Sequence, residues 1–371
     1  MALKRHRFTL LPTCKKLFSF ASKGIFDKFV SSYDIMTMDY TTTTKSTRII
    51  NLSFFMALGI VWTHSRFGTV EGLPGYFNSL FVFNEIGEKV VAGFFFISGY
   101  LFYRNYKLAD YGRKLKSRTK TLLLPYIIWN ALSALGWYLA MMIDNGSCVA
   151  DNHAYDGVVS VISGILSCQY SILWYIGVLI VYAIASPLFY VLCQKKWVAM
   201  TSIILFGIVG VSFHHPFCSP VVWMATYMAG AYTATYYKDF FYDRQNVLLT
   251  VISLIVFPIA FWQNHAHETM LTVNLCQWSA PFFFYGIYDI ADRYLHFKPH
   301  GVYKYSFFLY AAHYIPLHVC QRLVIRLWGG IAAYWSAYIL VPILVVALCL
   351  AIALFLDRKY HRIYAVLSGD R

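Results

Sequence analysis

Charged side chains are scarce in this chain, and acidic ones are the scarcest. Only 13% of its 371 residues are Asp, Glu, Lys or Arg, and 17 acidic residues stand against 31 basic ones. Soluble globular domains carry about a quarter charged residues. With 59% hydrophobic residues and a mean hydropathy of +0.54, the composition excludes an ordinary soluble domain and predicts an integral membrane protein.

The sequence also lacks the regular spacing of Cys and His that marks a metal site. The eight cysteines are scattered and form no Cys-x-x-Cys pair. Two small groups of histidines come nearest to a metal site, and neither fixes a ligand number or geometry: His214 with His215, and His265 with His267 and Glu268. The sequence therefore predicts no metal.

Three cysteines fall on the predicted outer side of the membrane. They are Cys148, Cys168 and Cys218. An oxidising compartment would permit one disulfide among them, and the spacing leaves open which pair forms it, or whether any does.

Long apolar runs dominate the rest of the chain. Segments of about 17 to 25 uncharged apolar residues are long enough to cross a bilayer as helices. Ten such candidates begin near residues 49, 88, 121, 171, 197, 219, 246, 270, 304 and 330. The predicted fold is therefore an all-α, polytopic membrane helix bundle of about ten transmembrane helices.

The basic residues follow the predicted topology. If the N-terminus is cytoplasmic and the chain reverses at each span, 27 of the 31 Lys and Arg lie in inner segments. This distribution agrees with the positive-inside rule and predicts that both termini are cytoplasmic. It also argues against a nucleic-acid ligand, since the charge of +14 is not gathered on one face.

Three regions are predicted along the chain. Residues 1–47 form a basic cytoplasmic arm without a long apolar core or cleavable signal peptide, which is either disordered or lies on the membrane surface. Residues 48–356 form the membrane domain, and residues 357–371 form a short cytoplasmic tail. Translation starting at Met36 or Met38 is a further alternative for the arm.

His64 is the strongest candidate for chemistry. It ends the first apolar run, IINLSFFMALGIVWTH, and an imidazole at a membrane boundary is the side chain best suited to move a proton near neutral pH. Glu85 and Glu88 begin the short second span at the same boundary, and one of them is a candidate to orient His64. A histidine placed only by the membrane interface is the alternative.

Basic residues on the inner side suggest where an anionic ligand binds. The loop 104–120, RNYKLADYGRKLKSRTK, contains Arg104, Lys114 and Arg118. Arg pairs with phosphate in a bidentate fork, and Lys acts as a point charge. The alternative is that these charges only retain the loop inside and contact anionic lipid.

Polar and small residues interrupt several spans. Ser98 and Gly99 lie in the second span, Trp174 opens the fourth, and Tyr310 and His313 lie in the ninth. They are candidates to line a channel, although small residues also serve helix packing and aromatic residues form interfacial belts. His313 is the least easily explained by packing, because an imidazole inside an apolar run needs a partner.

The order of these segments resembles a known family. The first span ends in His64, and GFFFISGYLFYRNY, KSRTKTLLLPYIIWN, LWYIGVLIVYAIASPL and SFFLYAAHYIPL follow in turn. Together they are similar to the acyltransferase 3 family of membrane O-acyltransferases, over residues 48 to about 356. The resemblance implies transfer of an acyl group from cytoplasmic acyl-CoA to a hydroxyl of a sugar or polysaccharide.

The resemblance also assigns roles to single positions. The family's first-span histidine falls on His64, its FFxSG segment includes Ser98 and Gly99, and its basic stretch at acyl-CoA falls on Lys114 and Arg118. Its late tyrosine and histidine fall on Tyr310 and His313. Where the family often has an arginine eleven residues before its histidine, this chain has Ser53, and Arg104 is a candidate to supply that charge.

The predicted function is therefore membrane O-acyltransfer. The donor is acyl-CoA, with acetyl-CoA the first expectation and succinyl the second, and the partners are the lipid bilayer and a carbohydrate acceptor at the cell surface. The predicted location is a bacterial inner membrane. A multi-span transporter or flippase for a small molecule or lipid-linked sugar is the alternative, because composition alone does not separate the two.

Overall fold

Helices build the whole described part of the protein. The computed structural model describes residues 40–67, 75–143, 157–212, 218–242, 244–297 and 301–369. Within these ranges every regular element is a helix, which confirms the predicted all-α class.

In the first half of the chain, the described residues form eight α-helices. A 3-10 turn, Leu108–Asp110, and a π-helical turn, Thr119–Leu123, connect some of them. The α-helices are α1 (Tyr40–Thr63), α2 (Tyr76–Leu80), α3 (Val82–Tyr103), α4 (Tyr111–Arg118), α5 (Leu124–Ile143), α6 (Val158–Leu166), α7 (Trp174–Ile184) and α8 (Ser186–Leu192).

The described residues of the second half form nine more α-helices. A second π-helical turn, Ser336–Leu340, joins two of them. They are α9 (Lys196–Ser212), α10 (Pro220–Tyr236), α11 (Val247–Ala266), α12 (Met270–Leu295), α13 (Ser306–Ala312), α14 (Tyr314–Trp328), α15 (Gly330–Trp335), α16 (Val341–Lys359) and α17 (His361–Ser368).

Several helices have the length and apolarity needed to cross a membrane. In the described ranges four qualify, and α7 with α8, bent by 66°, adds a fifth if the pair is one broken span. The four are Val82–Tyr103, Leu108–Met142, Val247–Ala266 and Gly330–Lys359. These helices agree with a membrane protein, while the count of ten spans stays a prediction.

Helix α3 lies at the centre of the packing, against α10 and α12. The crossing with α10 is close because both helices present glycine there. A Cβ on Gly99 would come within 2.2 Å of the Tyr227 carbonyl oxygen, and one on Gly230 within 2.0 Å of the Phe96 oxygen. Such close backbone approach is a common way for membrane helices to associate.

Helices cross the predicted boundaries at both ends of the membrane domain. Helix α1 begins at Tyr40, inside the predicted arm 1–47, and residues 1–39 lie outside the described part. The predicted tail contains the end of α16 and the whole of α17. Trp129 donates to the Leu367 carbonyl at 2.9 Å, and Tyr364 is buried beside Tyr305 and Phe308, so α17 is packed onto the membrane domain.

Candidate active site

The turn after α1 holds His64 in place. The last carbonyls of a helix have no partners within it and must find others. Asn84 of α3 supplies one, since its Nδ2 donates to the Trp62 oxygen at 2.6 Å and also to the Ser65 hydroxyl oxygen at 3.2 Å. Gly87, one turn along α3, allows Thr63 to pack closely against that helix. The first helix therefore ends where α3 caps it.

Gln321 and Tyr338, from the C-terminal part of the chain, complete this support. Gln321 of α14 donates through Nε2 to the Ser65 carbonyl at 2.7 Å, and Tyr338 donates its hydroxyl hydrogen to Asn84 Oδ1 at 2.8 Å. Asn84, Ser65 and Gln321 are all buried. We call Asn84, Gln321 and Tyr338 the turn clamp. In the sequence, the turn clamp is marked only by its two amide side chains, Asn84 and Gln321, which lie in apolar surroundings.

His313 lies beside His64. Helix α13 ends at Ala312 and α14 begins at Tyr314, because Pro316 has no N–H to continue the ladder to Ala312. The ring centroids of His64 and His313 are 5.5 Å apart. The structure thus brings together two histidines that lie 249 positions apart in the sequence.

The His313 ring is wholly buried and has one partner. Its Nδ1 is 2.9 Å from the Leu309 carbonyl oxygen, while its Nε2 is buried without a hydrogen-bond partner. A carbonyl oxygen only accepts, so Nδ1 carries the proton in the neutral ring. Nε2 is then a free acceptor.

Two further rings of α14 surround the pair. Tyr314 meets His64 with centroids 5.2 Å apart, and His318 contacts Tyr314 at 4.6 Å. His318 is also close enough to His64 and to Arg322 for electrostatic interaction. His318 carries no prediction from the sequence, although it lies four residues after Tyr314, a spacing that puts two side chains on one face of a helix.

The two candidate glutamates have other partners. Glu85 Oε2 is 3.0 Å from His265 Nδ1, beside an apolar groove of about 580 Å³ between α3 and α11. Glu88 interacts electrostatically with Lys89, Glu85 and Arg66. Neither is placed to orient His64, so that expectation is corrected.

The reason is the position of each residue around α3. Asn84 faces the turn at His64, and the next residue is rotated by about 100° around a helix. The Glu85 carboxylate therefore points towards α11 instead. The neutral amide of Asn84 caps this turn, whereas Glu85, a predicted partner of His64, pairs with His265.

Basic side chains converge at the other end of α3. Lys114 Nζ donates to the Phe102 carbonyl at 2.9 Å and lies over the Phe102 ring at 5.1 Å. The Arg118 guanidinium lies over the same ring at 5.2 Å and interacts electrostatically with Tyr175 and Tyr227. Arg104 lies apart from them, over the Tyr242 ring at 4.5 Å.

Ser98 and Gly99 have different surroundings. The Ser98 hydroxyl is 2.6 Å from the Tyr175 hydroxyl, which also donates to the Phe94 carbonyl at 3.2 Å. Gly99 packs against the backbone of α10 at Tyr227. Ser98 therefore shares the Tyr175 environment with Arg118, whereas Gly99 serves the helix crossing.

A row of polar groups connects the two ends. Tyr175 meets Tyr310 with ring centroids 6.1 Å apart, and Tyr310 lies one helical turn before His313. We call the row Lys114, Arg118, Ser98, Tyr175, Tyr310, His313 and His64 the polar path. Trp174 is outside it, against Phe95 at 6.2 Å and Trp223 at 6.0 Å; the neighbouring Tyr175 takes the position expected for Trp174.

The comparison with known families identifies the family of the chain. The family model described as an acyltransferase domain, that of acyltransferase 3, matches residues 49–354. The chain belongs to the acyltransferase 3 family. It is an acyltransferase, and the resemblance seen in the sequence is confirmed. No curated protein and no solved structure matches the chain.

The cysteines of this acyltransferase are free wherever the structure describes them. Cys168 and Cys218 are both unpaired thiols, and Cys148 lies outside the described residues. Cys168 Sγ is 3.2 Å from the Ser171 hydroxyl, and burial raises the pKa of its thiol. A disulfide between Cys168 and Cys218 is therefore absent.

The candidate metal ligands of the acyltransferase are only partly described. Across the described ranges no three His, Cys, Asp or Glu side chains are grouped to hold a metal ion. His265 is paired with Glu85, and His214 and His215 lie outside those ranges.

Proposed function

We propose that this acyltransferase moves an acyl group from cytoplasmic acyl-CoA to a hydroxyl of a sugar, polysaccharide or other cell-surface acceptor. Acetyl is the first expectation for the group and succinyl the second. The observation that carries the proposal is the polar path, which joins a basic end at Phe102 to His64 and His313 along one side of α3.

The basic end suits the donor. Coenzyme A carries phosphates, for which a guanidinium and an ammonium group are the usual partners in proteins. Lys114 and Arg118 meet over one ring, so a single anionic group can contact both. The predicted topology puts this end on the cytoplasmic side, where acyl-CoA is made.

For the proposed reaction, the acyl end of the donor must reach His64. About 16 residues of helix separate Arg48 from His64, which is about 24 Å at 1.5 Å per residue. The hydroxyls of Ser98, Tyr175 and Tyr310 lie along this route. Tyr310 donates its hydroxyl hydrogen to the Ile172 carbonyl at 2.6 Å and Tyr175 donates to Phe94, so these hydroxyls offer acceptor oxygens to a polar pantetheine chain that would otherwise lose its water without replacement.

His64 is proposed as the general base. The neutral imidazole removes the proton of the acceptor hydroxyl while that oxygen attacks the thioester carbonyl carbon. The tetrahedral intermediate then collapses, the carbon–sulfur bond breaks, and the coenzyme A thiolate takes the proton from the imidazolium. A general base in this position contributes about 10²–10⁴-fold in rate.

The proposed location is a bacterial inner membrane, with about ten spans and both termini cytoplasmic. The apolar helices and the family support the membrane part of this statement. The inward bias of Lys and Arg supports the orientation.

The test is transfer of labelled acyl groups in membranes. We expect His64→Ala to lower the transfer of label from acetyl-CoA to cell-surface glycan by about 10²–10⁴-fold, with an acetyl mass increment on the glycan of the parent protein only. His361→Ala is the matched control, because its side chain is 67% exposed and lies on the tail helix. It should transfer label normally.

Two results would contradict the proposal. Full transfer by His64→Ala would remove His64 as the base. Movement of a lipid-linked sugar across the membrane without any release of label from acyl-CoA would instead favour the transporter considered from the sequence.

A further inference from the structure

His313 Nε2 has no hydrogen-bond partner, and the inference drawn from it rests on the proposed function of His64. His313 is 0% exposed, its Nδ1 is bound to the Leu309 carbonyl, and its Nε2 has no partner. A buried polar atom left without a hydrogen bond costs about 1–3 kcal/mol. Such an atom is retained where a ligand or a mobile partner satisfies it.

His64 is a neighbour of His313 that is able to satisfy Nε2. The two centroids are 5.5 Å apart, and two imidazoles joined by a direct N–H···N bond have centroids about 5 Å apart when the bond length is about 2.9 Å. A small ring movement, or one bridging water molecule, therefore closes the gap. Nε2 can only accept in this tautomer, so the hydrogen must come from His64.

We propose that His313 is the positioning residue of His64: its Nε2 accepts a hydrogen bond from the His64 ring N–H, directly or through one water molecule. Every donor in the resulting chain points the same way, from His64 to His313 and from His313 to the Leu309 carbonyl. The other nitrogen of His64 is thereby fixed as the unprotonated one that faces the acceptor hydroxyl.

This arrangement gives His313 the role that a carboxylate has in many histidine-based sites. It sets the tautomer and orientation of the base and stabilises the imidazolium after proton transfer. No bond to carbon forms at His313 and no proton leaves it. The sequence expectation of an orienting glutamate is met by a neutral ring from α13 and α14, because Glu85 is bound to His265.

Two variants separate the hydrogen bond from the volume of the ring. His313→Asn keeps an amide donor near the position of Nδ1, for the Leu309 carbonyl, and has no atom at the position of Nε2. His313→Gln extends to that position and offers an acceptor there. Both lose the ring, so their difference reports the acceptor at Nε2.

We expect His313→Asn to lower kcat about 10–100-fold, the cost typical of removing an outer-shell partner, with KM for acetyl-CoA within a factor of about 3 of the parent. His313→Gln should retain kcat within about 5-fold of the parent under the same principle. The measurement is initial-rate transfer of label by purified full-length protein in detergent, after thermal unfolding has shown each variant to be folded. If the Asn variant does not fold, His313→Ala, which also has no acceptor at the position of Nε2, takes its place.

Each outcome tests either the positioning role of His313 or the proposed function of His64. A normal kcat for His313→Asn, or equal losses in His313→Asn and His313→Gln, would overturn the positioning role while leaving His64 as the base. Where His313→Ala replaces His313→Asn, a loss of kcat in His313→Ala together with a near-parent kcat in His313→Gln supports the role, and a normal kcat in His313→Ala overturns it. Full activity of His64→Ala would instead overturn the proposed function itself.

Discussion

Arg118 and Arg113 are two arginines of the same short helix with opposite surroundings. Arg118 lies over Phe102 and reaches Tyr175 and Tyr227 electrostatically. The Arg113 side chain is 79% exposed and pairs with Asp110 at 2.9 Å, an i,i+3 contact on the surface. Only the first faces the polar path.

Replacing these arginines tests the donor end of the path. We expect Arg118→Gln to raise KM for acetyl-CoA about 10-fold or more, because a charge-assisted hydrogen bond is worth about 1.5–3 kcal/mol. Arg113→Gln should leave KM unchanged, because exposed pairs contribute about 0–1 kcal/mol. Initial rates at varied acetyl-CoA concentration measure both. Equal KM values would show that the phosphates bind elsewhere.

Single residues of the site differ in how far the sequence predicted them. His64 and His313 each stood out, because an imidazole in an apolar run is chemically unusual. Their pairing was not predictable, since it depends on how distant helices pack. Asn84 was missed in favour of Glu85 because the choice between neighbouring positions depends on the rotation of α3 about its axis, which the sequence pattern does not fix.

Helix α3 and helix α10 depend on glycine at their crossing. We expect Gly99→Ala to destabilise the protein by about 1–3 kcal/mol, because its Cβ would meet backbone atoms of Tyr227 that cannot rotate away. Gly112→Ala is the matched control, since a Cβ there meets nothing within 4 Å. It should be neutral or slightly stabilising. Thermal unfolding in detergent, followed by size-exclusion chromatography, measures both.

The control variant also defines the result that would contradict this prediction. If Gly99→Ala unfolds at the same temperature as Gly112→Ala, the two helices do not approach as closely as described. Activity is a second readout, because Ser98 lies next to the crossing and belongs to the polar path.

Element boundaries were predicted less well than element type. The second span was placed from residue 88, but α3 begins at Val82, before Glu85 and Glu88. The apolar run in the sequence ends at these charges. The helix extends beyond them towards its N-terminus because its backbone is hydrogen-bonded and Asn84 has partners. The fourth span is bent between α7 and α8 at Ala185, a break that apolarity alone does not reveal.

The orientation of the whole molecule can be tested with one cysteine. Cys218 is exposed, and the predicted topology puts it outside, between the fifth and sixth spans. In a protein that carries Cys148→Ser and Cys168→Ser, we expect a membrane-impermeant maleimide to label Cys218 in intact cells, with the signal lost when Cys218→Ser is added. Labelling only after permeabilisation would contradict the orientation derived from Lys and Arg.

The matched control for this experiment lies on the predicted inner side. Lys107 is exposed, in the segment between α3 and α4. Lys107→Cys, made in a protein in which Cys148, Cys168 and Cys218 are all replaced by Ser, should be labelled only after the membrane is permeabilised. Labelling of both sites from outside would mean that the number of spans between them is even.

The turn clamp links the beginning of the chain to its end. Gln321 contacts Ser65 across 256 positions, and Tyr338 contacts Asn84 across 254. During synthesis, His64 and most of the polar path enter the membrane long before α14 exists. The turn at His64 therefore acquires its full set of hydrogen bonds only when the last helices have been inserted. A nascent chain that lacks α14 has neither Gln321 at this turn nor the part of α14 that lies beside His64.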